Sequence, residues 1–132
     1  MIFGIGQDVI EIERVAGALA RHGERFVSRI LGPRELAVYE ARRRRWPHRG
    51  TVFLATRFAA KEAISKAVGL GMRQPMSWRS VEIVNEPGGR PSAVANGRFA
   101  AYLAERRLRL HVSVADLANL AVAQAIAETV DG

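Results

Sequence analysis

The run from Phe53 to Val68 leaves this chain few ways to fold. At the helical period Phe53, Ala60, Ile64 and Ala67 fall on one inward stripe, and Gly69 stands just past the C-terminus, where a left-handed residue is favoured. Such a stripe needs an apolar surface to bury it, and strand-like segments on either side can supply one. Ile2 to Ile12 reads as a strand in spite of Gly4 and Gly6. Glycine inside a strand marks a bend or a close approach by another backbone or a ligand. Val81 to Asn85 alternates as a strand. Pro87-Gly88-Gly89 then provides turn chemistry before a short strand around Ser92 to Val94. Leu110 to Val114 is a further strand. Leu120 to Thr129 pulls both ways: its alanine content favours helix. The alternation of Ala121, Ala123, Ala125 and Ala127 with Val122, Gln124 and Ile126 favours a strand packed closely on one face, and the strand reading is adopted.

The remaining segments are helices and loops. Glu13 to about Leu31 is rich in helix formers, interrupted at His22-Gly23. Pro33 suits the first turn of a helix over Arg34 to Arg45. Trp46 to Gly50 and Gly71 to Ser77 read as loops, and Gly97 to Arg107 as a helix. The mixture predicts an α+β fold in one domain over residues 1–132.

Composition narrows the chemistry. An apolar fraction of 48% supports a packed core. The absence of cysteine excludes a disulfide scaffold, a zinc-thiolate site and a cysteine nucleophile. The first residues lack the pattern of a secretory signal, and no apolar run approaches the ~18–20 residues that span a bilayer. The expectation is a soluble, cytoplasmic protein without a membrane partner. With 20 Lys and Arg against 13 Asp and Glu, the net charge of +7 favours a polyanionic partner without choosing among nucleic acid, anionic lipid, a phosphorylated cofactor and an acidic protein.

Several residues admit two readings. Asp8 lies in an apolar, glycine-flanked strand. It is either a solvent-facing residue or cap for the next helix, or a metal ligand, since a carboxylate near a sheet core needs a compensating charge. Glu62 and Lys66 share a helix face. They form either a surface ion pair of about 0.2–0.5 kcal/mol or one carboxylate for a divalent cation and one ammonium for a phosphate. Mg²⁺ typically takes one or two protein carboxylates and fills its shell with water and substrate phosphates, a role open to Asp8 and Glu62 together. Arg14, Arg21, Arg25 and Arg29 fall within an arc of about 80° on a continuous helix, either as a solvated face or as a docking stripe for an acidic helix. Arg42 to Arg45, followed by Trp46, suit nucleic acid, the separate phosphate of a nucleotide cofactor, or a solvated helix end. His111, on a strand, is more often structural than catalytic. A nucleic-acid module would leave Asp8 and the Lys61–Lys66 helix unexplained, and the aromatics offer few stacking platforms.

In combination and order, these motifs resemble the holo-acyl-carrier-protein synthase family of phosphopantetheinyl transferases. Ile2 to Ile12 is similar to its G-I-G-x-D opening. Phe53 to Ala63, followed by Ser65-Lys66-Ala67 and Gly69-Leu70-Gly71, is similar to its signature helix. Trp78 to Pro91 and His111-Val112-Ser113 resemble its later strands. The resemblance implies an antiparallel sheet with packed helices, a homotrimer with sites between subunits, and Mg²⁺-dependent transfer of phosphopantetheine from coenzyme A to a serine of an acidic acyl carrier protein in fatty acid biosynthesis. It assigns Asp8 and Glu62 to the metal and Lys66 to the coenzyme A pyrophosphate, the three forming the catalytic set. Arg14, Arg21 and Arg25, with Arg29 beside them, would dock the carrier. Arg44, Arg45 and His111 would contact coenzyme A. Two departures stand out: Ala115-Asp116 where some members carry a histidine, and Leu70 where a polar residue is frequent.

Overall fold

The computed structural model describes residues 1–131. In chain order the elements are β1 (Ile2–Glu11), α1 (Ile12–His22), α2 (Glu24–Ile30), α3 (Pro33–Arg45), α4 (Pro47–Ala67), β2 (Val81–Asn85), β3 (Pro91–Ala95), α5 (Gly97–Glu105), β4 (Leu108–Leu117) and β5 (Leu120–Thr129). β1, β5 and β4 form an antiparallel sheet in that order, and β2 and β3 form a separate hairpin. The α+β expectation, the strand over Leu120–Thr129 and the interruption at Gly23 are all observed.

α4 is the axis of the molecule. It lies on the inner face of the large sheet, against β1, β5 and β4, and α1, α2 and α3 close over it. Phe53, Leu54, Ala60 and Ile64 are at most 1% exposed, so the buried surface extends beyond the expected stripe. Each large apolar side chain removed from water in this way contributes about 1.5–3 kcal/mol. The contact with the sheet is unusually close because the sheet offers little bulk. A Cβ placed on Gly6 would meet the carbonyl oxygen of Ala63 at 1.8 Å, and one on Gly4 would meet that of Ala67 at 2.0 Å. Next to them Ala121, Ala123, Ala125 and Ala127 of β5 form a smooth, fully buried row. The strand glycines therefore mark the approach of a helix backbone.

Two details differ from the sequence reading. Trp46 to Gly50 is not a loop: α4 begins at Pro47, with Trp46 as its N-cap. Proline at the first helical position loses no hydrogen bond, because that N–H would lack a partner anyway. Gly50 lies within the helix where α3 leaves no room for a side chain; a Cβ there would lie 2.9 Å from the Cβ of Arg43. Secondly, the arginines from Arg14 to Arg29 do not ride on one helix. Gly23, at φ 56°, separates α1 from α2, so the common arc does not hold.

The outer face of the large sheet is open, with apolar rows on either side of a polar one. Register places Ile5, Ile126 and His111 in one row across β1, β5 and β4, Gln7, Gln124 and Ser113 in the next, and Val9, Val122 and Ala115 in a third. Ile5 is 67% exposed, and Phe3 and Val9 are about half exposed.

Candidate active site

The close seat of α4 on β1 brings Asp8, Glu62 and Lys66 together. Lys66 Nζ donates to Asp8 Oδ1 at 3.2 Å and to the Gln7 carbonyl at 2.9 Å. The Lys66 side chain is half exposed and that of Asp8 mostly buried. Glu62 stands one helical turn before Lys66. Burial and the neighbouring Asp8 charge hold its carboxyl above the ordinary carboxylate range, and Lys66 acts against them. The ordinary surface pair between Glu62 and Lys66 is not formed, since the lysine turns to the strand instead. Nor does Asp8 cap α1: the N-cap there is Glu11, without a side-chain cap bond.

Two carboxylates near enough to raise a pKa by repulsion, with one ammonium beside them, form a site that gains from a further positive charge. The donors are all oxygen, as Mg²⁺ prefers. Among the described residues, no third His, Cys, Asp or Glu completes a protein-only cage. The donor set therefore fits Mg²⁺ sharing its shell with water and phosphate oxygens.

A cleft of about 340 Å³ is walled by Ile10, Glu13, Arg14, Arg21, Phe26 and Phe58 among others. Ile10 lies on the same side of β1 as Asp8, and Phe58 is one turn before Glu62 on α4, so two of the cleft's walls belong to the elements that carry the carboxylates. Phe58 stacks on Trp78 with centroids 4.7 Å apart and meets Phe26 at 6.4 Å. Beyond Phe26 a smaller hollow is lined by His22, Arg25, Phe26 and Arg29. The arginines of both helices thus flank one aromatic floor, despite the break at Gly23. The sequence reading did not single out Phe26 or Phe58; the i,i+4 spacing of Phe58 and Glu62 was the available signal.

Other candidates lie elsewhere in the chain. Arg44 and Arg45 end α3, next to the start of α4. The helix runs on for about 22 Å between Pro47 and Glu62 at ~1.5 Å per residue. Their neighbours are engaged internally: Arg43 pairs with Glu40 at 3.0 Å, and Arg42 lies 5.0 Å over the Phe53 ring. His111 sits on the outer sheet face, opposite to Asp8, with Nε2 2.9 Å from Glu128 Oε1. That contact, the imidazole beside the carboxyl, pulls Glu128 below the ordinary carboxylate range. One chain therefore does not bring Arg44, Arg45 or His111 to the carboxylates. Asp116 is exposed near the end of β4, and Leu70 packs against the core.

Lys61, which the sequence reading left without a role, is fully buried. Its Nζ donates to Glu35 Oε1 and to the Ile30 carbonyl, both at 2.6 Å.

A carboxylate pair and lysine on a glycine-smoothed strand–helix seat suit an enzyme that handles phosphoryl groups, and comparison with known proteins gives the class. The family model of the 4'-phosphopantetheinyl transferase superfamily matches residues 4–125, and the chain belongs to that superfamily. Within it, the relatives are holo-[acyl-carrier-protein] synthases. That of Cupriavidus taiwanensis is 59% identical over 128 residues, covering 97% of this chain and 91% of the relative. The crystal structure of holo-[acyl-carrier-protein] synthase from Neisseria meningitidis superposes with a TM-score of 0.88 at 33% identity, covering 98% of this chain and all of that one. A Bacillus anthracis holo-(acyl-carrier-protein) synthase in complex with CoA (3',5'-ADP) gives 0.80 at 34% identity, covering 98% and 99%.

Proposed function

We propose that this protein transfers the 4'-phosphopantetheine group of coenzyme A to a serine of apo acyl carrier protein. The observation that carries the reading is the Asp8–Glu62–Lys66 cluster, on the same strand and helix that wall an arginine-flanked aromatic cleft. In the reaction the serine oxygen gives up its proton to solvent and forms a bond to the β-phosphorus, the pyrophosphate P–O bond breaks, and adenosine 3',5'-bisphosphate leaves with the bonding electrons. Such transfers are catalysed chiefly by positioning and charge stabilisation. Asp8 and Glu62 would hold Mg²⁺, which supplies neutralisation of the pyrophosphate charge. Lys66 places a cation beside them on a side chain exposed enough to swing from Asp8 to a phosphate oxygen. Arg14, Arg21 and Arg25, with Arg29 next to them, present positive charge around Phe26 and Phe58. This surface suits the acidic, amphipathic helix of a carrier protein.

The working form in this reading is a homotrimer. The open face of Ile5, Val9, Val122 and Ile126 supports it, since apolar patches of this kind mark interfaces. Assembly also offers a place for Arg44, Arg45 and His111, because a neighbouring copy can bring them to coenzyme A where one chain does not. Ile5→Glu puts a charge in the middle of that face. Analytical ultracentrifugation should find the variant as a folded monomer with little transfer activity. An unchanged sedimentation coefficient would remove the sheet face from the assembly.

An intact-mass spectrum tests the reaction itself. Apo acyl carrier protein incubated with the enzyme, coenzyme A and Mg²⁺ should gain one phosphopantetheine unit, and EDTA should prevent the gain. A folded enzyme that leaves the carrier mass unchanged across a panel of apo carriers would remove the proposal.

A further inference from the structure

The buried pair Lys61–Glu35 is the least expected feature of the interior. Both side chains are fully enclosed, and the network around them is fully partnered. Glu35 Oε1 accepts from Lys61 and from the Gly32 N–H, and Oε2 accepts from the Ile83 N–H at 2.8 Å. Glu82 extends the network: its Oε2 accepts the Arg34 and Glu35 N–H groups at the start of α3, and its Oε1 accepts from Arg34 Nε. Gly32 leaves the space for this, since a Cβ there would lie 2.7 Å from the Glu82 carboxylate.

Stability alone does not call for such a pair. Burial pulls the Lys61 ammonium below its ordinary range, and the Glu35 carboxylate acts against that. Apolar residues of similar volume often replace buried ion pairs without loss of stability. What an apolar residue does not reproduce is direction. Lys61 Nζ has fixed partners on the carbonyl that ends α2 and on the first turn of α3, so it sets where that corner sits on α4.

The residues on either side of these contacts are the ones the transfer uses. Lys61 precedes Glu62, and Ile30 follows Arg29. One side chain and one hydrogen bond therefore join the turn of α4 bearing the metal carboxylate to the helix bearing Arg25 and Arg29. We propose that Lys61 is a positioning residue for the transfer: with Glu35 it holds the arginine face at a fixed offset from Glu62. A docked carrier then presents its serine at the carboxylates. The proposal rests on the docking reading given above.

The test is a double-mutant cycle between Lys61→Met and Arg25→Glu, measured in the whole enzyme at a temperature where calorimetry shows every variant folded. Displacement of reacting groups by about 1 Å costs up to ~10²-fold in rate, so Lys61→Met should lower kcat/KM for apo acyl carrier protein by roughly 10–100-fold. The KM for coenzyme A should stay within about 2-fold of wild type, as uniform binding of the donor is untouched. Loss from the double variant should be clearly less than the product of the single losses, because both act on one docking geometry. Glu35→Gln, which keeps one acceptor for Lys61 but removes the charge and the acceptor for the Ile83 N–H, should show the same pattern, and it carries the test if Lys61→Met does not fold. Equal loss toward both substrates, or losses that multiply, would make Lys61 a core residue only and overturn the proposal. An Arg25→Glu variant with an unchanged carrier KM would instead overturn the docking reading, and this proposal with it.

Discussion

Glu62→Gln should abolish transfer and, without metal, leave the protein at least as stable as the wild type. The two signs come from the same environment. In the metal-free protein Glu62 is an uncomfortable carboxylate, with burial and Asp8 raising its pKa and Lys66 engaged with Asp8. A raised folded-state pKa means that the charged form costs stability. That cost is absent below the unfolded-state value of about 4.3 and grows as pH rises through the shifted one. The neutral variant should therefore gain in Tm over wild type near pH 7 and lose that gain at about pH 4 or below, where Glu62 is protonated in both folded and unfolded chains. Activity should move the other way. Removing one of the two carboxylates proposed for the metal is expected to cost roughly 10²–10³-fold or more in turnover. Calorimetry across pH in EDTA, beside the mass-spectrometric assay with Mg²⁺, measures both. A surface ion pair would behave oppositely, with a small stability loss of ~0.2–0.5 kcal/mol and unchanged turnover. That outcome would withdraw Glu62 from the site.

Gly6→Ala should be the most damaging single methyl in the protein. The new Cβ would sit 1.8 Å from the Ala63 carbonyl oxygen, and a backbone atom has no rotamer with which to escape. Either β1 or α4 must move outward. Overpacking of this kind costs about 1–3 kcal/mol, sometimes more. The gain of ~0.4–1 kcal/mol from a stiffer unfolded chain does not offset it. Unfolding should come roughly 5–15 °C earlier for a loss of about 2–3 kcal/mol. The displaced helix also carries Glu62 and Lys66 away from Asp8, and an offset near 1 Å corresponds to turnover about 10²-fold lower. Gly88→Ala is the matched control, because nothing lies within 4 Å of its would-be Cβ. Its Tm and activity should equal those of the wild type. A Gly6→Ala protein as stable and active as this control would mean that the helix does not rest on the strand as described.

Much of this arrangement was legible in the residues. Alternating alanines in Leu120–Thr129 identified a strand with one smooth face because period two cannot serve a helix. Gly4 and Gly6 announced a close approach, although only the fold identified the visitor as α4. Asp8, Glu62 and Lys66 were picked out by residue type and spacing, yet the pairing of Lys66 spans 58 positions and no local pattern specifies it. Pro47 and Gly50 misled for a physical reason. Both residues punctuate isolated chains, but here one occupies the first helical turn and the other makes room for α3. The Lys61–Glu35–Glu82 network was invisible because its partners lie 26 and 47 positions apart, and a buried lysine looks like any helix lysine until its neighbours are placed.

The strand β1 has a division of labour written into its pleat. Asp8 faces α4, while Gln7 and Val9 on either side of it face outward into the rows proposed for assembly. Because successive side chains point to opposite faces, inserting or deleting one residue ahead of Asp8 would exchange the two roles wholesale. The carboxylate would turn to the outer face, and Val9 after a deletion, or Gln7 after an insertion farther upstream, would take its place beside Glu62. Chemistry and assembly can thus each be tuned by substitution, but the length of this strand is not free to drift. Homologues should accept changes of residue here far more readily than changes of register.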